Sequence, residues 1–287
     1  MDKLPSLLIR EMRKEELAFA AECTKAESWV SENLTTLEGF FLNDPKGCLL
    51  AELKGQPVGI CVATFYGKSG FIGELIVRPE ARGRGVGAEL LNHGVRVLKE
   101  RGVETIYLDG VVRAVELYER NGFHKVCRSL RFSGNLVGKP SSQVRRMEVS
   151  DLDQVCELDR LAFGADRSFF LRHRFEIFPV LCKVLLVGDR MTGFILGREG
   201  EDWVSAGPWV MSEEVENPLE LLKAFALEAD GRPISIGILS TNLQACDLVR
   251  TICFEERTDC PWRMALGSSS DLGASPKCFA VGSAAKG

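Results

Sequence analysis

Histidine is scarce in this sequence, and no two cysteines stand at metal-binding spacing. There are 3 histidines, and the 10 cysteines are scattered without a Cys-x-x-Cys pair. Zinc sites are usually built from clusters of these residues, so we expect no metal site. Single cysteines within apolar runs are typical of buried free thiols in a cytoplasmic protein.

The sequence also lacks a long apolar run, a secretory leader and an excess of positive charge. No stretch is long enough to span a bilayer, and residues 1–5 do not have the form of a signal peptide. The net charge is −4, whereas a general nucleic-acid binder usually has a basic face. We therefore expect a cytoplasmic protein that binds neither nucleic acid nor a membrane. Its 287 residues, 45% of them hydrophobic, suffice for two ordinary domains.

The most informative segment is a glycine–arginine loop that follows an apolar strand. Residues 71–77 predict a strand, the sequence RGRGVG follows at 82–87, and apolar residues then recur at helical spacing from Val86 to Leu98. Glycines at the start of a helix leave backbone amides accessible, and arginine adds positive charge. The segment therefore predicts a phosphate or pyrophosphate site at the end of this strand.

The chain repeats its own pattern in its second half. The segments that align, in the same order and at nearly constant offset, are 10–17 with 145–152, 89–91 with 220–222, and 122–123 with 253–254. A stretch rich in glycine, serine and proline at 133–143 separates the copies. We therefore predict two tandem domains, at 1–135 and 144–287, joined by a linker at 136–143.

The second copy departs from the first at the loop. Opposite residues 82–87 it carries EEVENP at 213–218. Three carboxylates would repel a pyrophosphate, and Pro218 suits a helix start but has no N–H to donate. We expect that the second copy does not hold phosphate in this way.

Two motifs in the first half resemble those of the GCN5-related N-acetyltransferases. Residues 82–87 fill the acyl-CoA-binding pattern of that family, Arg/Gln-x-x-Gly-x-Gly/Ala, and AVELYERNGF at 114–123 looks like its second hallmark, Ala-x-x-x-Tyr-x-x-x-Gly-Phe. The resemblance implies an α/β (α+β) fold of two tandem acyl-CoA N-acyltransferase-like domains. Each would have a mixed, mostly antiparallel sheet flanked by helices, and the second would be a degenerate copy.

The resemblance also implies where acetyl-CoA, the co-substrate, would bind. Its pyrophosphate would lie on the backbone of the loop residues Arg82, Gly83, Arg84, Gly85, Val86, Gly87 and Ala88. Its pantetheine arm would pair like an added strand with the backbone of Leu75, Ile76 and Val77.

Two side chains would carry the proton transfers. By the same resemblance, Glu74 would take a proton from the incoming ammonium, directly or through water, and Tyr118 would protonate the departing thiolate. Direct attack by an amine needs no protein nucleophile, which agrees with the absence of a serine or cysteine motif.

One family feature is divided between the two copies. Family members commonly carry an asparagine three residues before the alanine of the second motif, where it helps to hold CoA. This sequence has Val111 at that place. The second copy has Asn242 there, three residues before Ala245, but Val249 at the tyrosine position. Neither copy is complete, although the first keeps both the loop and the tyrosine.

Other functions fit part of the sequence. Gly83, Gly85 and Ala88 also satisfy a dinucleotide fingerprint, but such a domain usually opens with it, whereas several strands come first here. A non-catalytic acyl-CoA-binding sensor or assembly module stays open, and Glu74 and Tyr118 favour catalysis over it. We predict an acetyl-CoA-dependent N-acetyltransferase acting on a primary amine of a small molecule or peptide. The acceptor, the acyl-chain preference and a homodimer stay open.

Overall fold

The computed structural model describes residues 7–29, 33–200, 202–212, 217–268 and 272–287. The chain divides into two compact units. Unit 1 contains Met1–Lys125, Met264–Ser269 and Lys286, and unit 2 contains Val126–Arg263, Ser270–Ala285 and Gly287. The chain thus leaves unit 1 at Val126 and returns to it near its end. The domain boundaries inferred from the sequence, with the linker at 136–143, stay predictions.

Both halves of the described chain follow a similar order of elements, in which a strand and two helices precede three consecutive strands. The strands are β1 (Leu7–Glu11), β2 (Cys48–Leu53), β3 (Gln56–Tyr66), β4 (Ser69–Val77), β5 (Thr105–Gly110), β6 (His124–Gly134), β7 (Val144–Arg146), β8 (Lys183–Val187), β9 (Arg190–Glu199), β10 (Val204–Met211), β11 (Ile234–Leu239), β12 (Glu255–Glu256), β13 (Trp262–Leu266) and β14 (Cys278–Ala280). The helices are α1 (Leu17–Ala26), α2 (Leu34–Asn43), α3 (Val86–Glu100), α4 (Val115–Arg120), α5 (Leu152–Phe163), α6 (Ser168–Ile177), α7 (Leu219–Ala229) and α8 (Leu243–Thr251).

Unit 1 is built on a mixed sheet in the order β1-β2-β3-β4-β5, with the end of β13 beyond β5. The strands β1 to β4 pair antiparallel, and β4 pairs parallel with β5. Helix α3 packs closely on this sheet because glycines of β3 and β4 face its leucines. An added Cβ would stand 3.0 Å from Leu90 at Gly59 and 2.8 Å from Leu98 at Gly70. The helix that follows the glycine–arginine loop is thereby fixed against the strand that precedes it.

Unit 2 has a sheet of the same plan, in the order β6-β11-β10-β9-β8-β7. Here β10 and β11 are parallel, and the neighbouring pairs are antiparallel. Strand β14 pairs antiparallel with β10. A cluster of buried side chains that includes Trp209, Phe225 and Ile236 forms the core. The predicted fold class, a mixed and mostly antiparallel sheet flanked by helices, is confirmed.

The tandem repeat is confirmed by matching contacts in the two units. The Met12 N–H donates to the Cys48 carbonyl at 2.8 Å, and Met147, its counterpart, donates to Cys182 at 3.0 Å. The Phe123 N–H donates to the Tyr118 carbonyl at 3.0 Å, as Phe254 donates to Val249 at 3.1 Å. Val249 of unit 2 therefore holds the backbone place of Tyr118 in unit 1.

Candidate active site

Strand β4 is irregular at Glu74. The pairing of β3 with β4 shifts register between Ile60 and Val62, so a bulge lies opposite Cys61. The backbone of Glu74 has φ +48°, in the left-handed region that residues with a side chain rarely adopt, and only 3% of the residue is exposed. A conformation of this kind costs about 1–2 kcal/mol and concentrates at functional sites. The bulge therefore marks Glu74 as a candidate functional residue.

The two parallel strands of unit 1 separate just before this bulge. The ladder of β4 with β5 ends at the pair Ile72↔Leu108, whereas β4 continues to Val77. On its other side β4 stays paired with β3, where Gly59 faces Val77. The backbone of residues 75–77 therefore has one edge outside the β4–β5 ladder, and an extended chain can add to such an edge.

The glycine–arginine loop places open space beside the first turn of α3. Gly83 and Gly85 have φ +71° and +82°, and Gly85 is the N-cap of the helix. An added Cβ would meet no atom within 4 Å at either position. The Glu89 N–H makes the first helical bond, to the Gly85 carbonyl at 3.1 Å. The N–H groups of Val86, Gly87 and Ala88 thus lie in the first turn, where no intrahelical carbonyl reaches them. This arrangement fits a phosphate.

The half-buried carboxylate of Glu27 holds two arginines beside the loop. Glu27, whose side chain is 9% exposed, accepts hydrogen bonds from Arg82 on one oxygen and from Arg113 on the other. The Arg82 Nε also donates to the Val77 carbonyl at 2.8 Å. Both guanidinium groups keep exposed surface, so each is oriented by Glu27 while part of it faces solvent. The sequence did not point to Glu27 or Arg113, which are separated by 86 positions.

Tyr118 lies buried on α4 beyond the end of β5. An added Cβ at Gly110 would stand 2.9 Å from its ring, and the Phe123 ring meets it edge-on at 6.1 Å. Burial raises the pKa of the Tyr118 phenol, and the charge of Arg113 offsets part of that effect. The phenol is therefore neutral at ordinary pH and can donate a proton.

The thiol of Cys61 lies close to the first candidate catalytic residue, Glu74. Burial raises the pKa of this thiol, and the charge of Glu74 raises it further. Cys61 thus lies opposite the bulge of Glu74. The protonated thiol is a neutral neighbour to Glu74.

At the end of β4, an added Cβ at Gly87 would stand 3.6 Å from a methyl group of Val77 and 3.7 Å from one of Leu117, on α4. Helix α4, which carries Tyr118, therefore packs beside the end of β4, three residues beyond Glu74.

The residues predicted to bind acetyl-CoA differ in their exposure to solvent. Ile76 and Val86 are buried core residues, whereas Leu75, Val77, Gly85, Gly87 and Ala88 are half-buried, and Arg82, Gly83 and Arg84 are exposed. In unit 2 the helix α7 begins after Pro218, and the acidic segment at 213–216 lies outside the described residues. The prediction that the acidic segment of the second copy would repel a pyrophosphate therefore rests on the sequence alone.

Within the described ranges, no group of three or more His, Cys, Asp or Glu side chains is arranged to hold a metal ion. In the same part of the chain, every helix is too short or too polar to cross a membrane.

Both halves of the chain match known protein families. Residues 9–123 match the acetyltransferase (GNAT) family, and residues 155–279 match an acetyltransferase (GNAT) domain. Holothin acyltransferase from Pseudoalteromonas sp. (strain SANK 73390) is 25% identical over 246 residues, 84% of this chain and 82% of that protein. Mycothiol acetyltransferase from Stackebrandtia nassauensis is 38% identical over 104 residues, 33% of this chain and 34% of that protein.

A solved structure extends the likeness to the whole chain. A Pyrococcus horikoshii protein, described as a candidate acetyltransferase, superposes with a TM-score of 0.82 at 24% identity. The match covers 100% of this chain and 99% of that one. The two proteins therefore share a fold across both units.

Proposed function

This chain belongs to the GNAT family of acetyltransferases, and on that premise we propose that unit 1 transfers an acetyl group from acetyl-CoA to a primary amine. Three features support the proposal, near the end of β4, where an added Cβ at Gly87 would stand 3.6 Å from Val77 and 3.7 Å from Leu117 of α4. These are the glycine–arginine loop, the strained and buried Glu74, and the buried phenol of Tyr118. A phosphate cradle alone would also suit a binding protein, but a buried acid–base pair beside it suits catalysis.

The residues of unit 1 would hold acetyl-CoA along one continuous surface. The amides of the first turn of α3 would bind its phosphates, and the arginines held by Glu27 would add charge there. The edge of β4 at residues 75–77, which lies outside the ladder with β5, would pair with its extended arm beside the Val77 carbonyl that Arg82 contacts. Acetyl-CoA supplies an acetyl group already activated as a thioester. The chain has to orient that group and move protons.

Two proton transfers complete the proposed reaction. The acceptor amine is an ammonium at neutral pH, so Glu74 takes one proton from it, directly or through water, and the nitrogen lone pair becomes a nucleophile. As the new C–N bond forms and the C–S bond breaks, Tyr118 gives its proton to the departing sulfur. The amide nitrogen loses its second proton to solvent, Glu74 releases the proton it took to solvent, and Tyr118 recovers its own from solvent, so one proton is released per turnover. Glu74 supplies the base and Tyr118 the acid.

A panel of amines tests the proposed function. Acetyl-CoA is incubated with the full chain and with small amines, amino acids, amino sugars and lysine peptides, and free CoA is measured by chromatography. We expect saturable, amine-dependent release of CoA for at least one class. Saturable binding of acetyl-CoA without turnover on any amine would favour the sensor instead. Small amines are the first choice because the relatives are named for small-molecule acceptors.

The role of Glu74 predicts a pH-dependent defect in Glu74→Gln. At pH 7 we expect kcat/KM to fall about tenfold, less than the full range of general-base catalysis, because solvent also delivers free amine. The fraction of free amine rises about tenfold per pH unit below an amine pKa of about 10.4. The deficit of the variant should therefore shrink as pH rises, which a kcat/KM profile from pH 6.5 to 9.5 measures.

Glu104→Gln is the matched control for this variant. Glu104 is an exposed carboxylate of unit 1 that pairs with Lys68 at 2.6 Å, so its profile should follow that of the unaltered protein. A Glu74→Gln deficit that is the same at every pH would show that Glu74 does not act as the base.

A further inference from the structure

The two parallel strands of unit 2, β10 and β11, separate as β4 and β5 do in unit 1. We call the gap between each pair of separated strands a cleft. The parallel ladder of β10 with β11 runs from Val204↔Ile234 to Ala206↔Ile236 and ends there. Strand β10 continues to Met211, with a register shift against β9 between Ala206 and Trp209. Counted from the last parallel pair, residues 209–211 of β10 correspond to residues 75–77 of β4. These are the backbone positions to which unit 1 would pair the arm of acetyl-CoA.

In unit 2 this edge is occupied by the C-terminal part of the chain. Strand β14 pairs antiparallel with β10, with Trp209 opposite Ala280 and Val210 opposite Cys278. The Met211 N–H donates to the Lys277 carbonyl at 2.9 Å. On the other side of the cleft the Val281 N–H donates to the Gly237 carbonyl of β11 at 2.8 Å. Residues 277–281 therefore bridge the two separated strands.

The side chain of Asn242 also hydrogen-bonds to this C-terminal segment. Its Nδ2 donates to the carbonyls of Pro276 and Cys278, both at 2.9 Å. Its Oδ1 accepts from the Ala245 N–H at 2.9 Å, and the residue is 3% exposed. By its place in the motif this asparagine would hold CoA. Both of its amide hydrogens are instead committed to the backbone of the C-terminal segment.

The walls of the cleft also fit this segment closely. At Gly207 an added Cβ would stand against the carbonyl oxygen of Val281, and at Gly237 it would stand 2.8 Å from a methyl group of Val281. The rings of Trp209 and Phe279, both buried, lie with centroids 5.0 Å apart. Glycine on both walls thus makes room for a polypeptide strand, and an aromatic pair anchors it.

We propose that residues 276–281 are a built-in occupant of the acyl-CoA cleft of unit 2, so that the chain binds one acyl-CoA, in unit 1. The inference rests on the proposed function only in taking the arm-binding edge of unit 1 as its template. The segment satisfies the backbone groups that the arm would otherwise satisfy. An acyl-CoA could enter only by removing a strand that is hydrogen-bonded on both sides.

Hydrogen exchange of the full chain, read by mass spectrometry with and without saturating CoA, tests the occupied cleft. In the free protein we expect slow exchange at Met211 and Val281, unchanged when CoA is added. Exchange at residues 75–77 should slow on addition of CoA, and calorimetry should give one CoA per chain. Rapid exchange at Val281 in the free protein, its release by CoA, or two CoA molecules per chain would overturn the inference.

Two asparagine variants test whether the Asn242 side chain holds the C-terminal segment in place. Asn242→Ala removes both side-chain donors, so exchange across residues 278–281 should accelerate about tenfold or more. Asn121→Ala is the control, since its side chain donates to the Leu117 carbonyl in unit 1, and it should leave that exchange unchanged. Unchanged exchange at residues 278–281 in Asn242→Ala would show that the Asn242 side chain does not stabilise this segment. If the chain binds no CoA while Val281 stays protected, the proposed function fails and the occupied cleft stands.

Discussion

Replacing Gly85 by glutamate should abolish acetyl-CoA binding, with Kd raised at least about 100-fold. Gly85 has φ +82° at the N-cap of α3, a conformation that costs a residue with a side chain about 1–2 kcal/mol. The new side chain would also enter the open space beside the first-turn amides and bring a negative charge to the phosphates. Calorimetric titration of the folded variant with acetyl-CoA measures the loss.

Gly102→Glu separates the loss of binding from backbone strain. Gly102 also has a left-handed backbone, φ +83°, and an added Cβ would meet no atom within 4 Å. It follows the other end of α3, away from the loop, so the same substitution adds similar strain and charge without touching the phosphate site. We expect Gly102→Glu to lower stability modestly and to bind acetyl-CoA normally. Equal affinities of Gly85→Glu and Gly102→Glu for acetyl-CoA would show that the loop does not bind the phosphates.

Replacing Tyr118 by phenylalanine should lower kcat at least about 100-fold at pH 7 while leaving the Kd for acetyl-CoA unchanged. Loss of a positioned general acid typically costs 10²- to 10⁴-fold, and the ring itself still packs on Gly110 and Phe123. The defect belongs to the transition state, because the sulfur gains negative charge only as the C–S bond breaks. Steady-state kinetics with the acceptor found in the amine panel measures it.

The raised pKa of Tyr118 also predicts how kcat depends on pH. The acid is active when protonated, and burial moves its pKa above the ordinary value of about 10, so kcat should not fall on this account until pH exceeds 10. Tyr107→Phe, which alters another buried tyrosine of unit 1, should keep normal kcat. A Tyr118→Phe variant with full kcat would show that another group or solvent protonates the thiolate.

The loop and the repeat were predictable because each depends on short stretches of sequence. Gly83 and Gly85 both adopt positive φ, and a preference for glycine at such positions is a local property. The repeat could be found because residues 10–17 and 145–152 keep the same order of residue types. The strain at Glu74 was not predictable, since GELIV at 73–77 reads as an ordinary strand and the bulge arises from pairing with β3.

The contacts that the sequence did not predict join distant parts of the chain. Glu27 meets Arg82 across 55 positions and Arg113 across 86, and no local pattern links them. Asn242 was recognisable from its motif, but its partners Pro276 and Cys278 follow about 35 residues later, on a strand of only three residues. Contacts of this kind depend on how strands are ordered in a sheet, which side-chain periodicity does not encode.

A crystal structure of the full chain with bound CoA would show directly which unit binds it. We expect one CoA in unit 1, its phosphates within hydrogen-bond distance of the amides of residues 83–88. Its arm should run along residues 75–77 and its sulfur should lie beside Tyr118. A CoA that lies along β10 of unit 2, or that binds unit 1 without touching the glycine–arginine loop, would contradict the proposed acyl-CoA site.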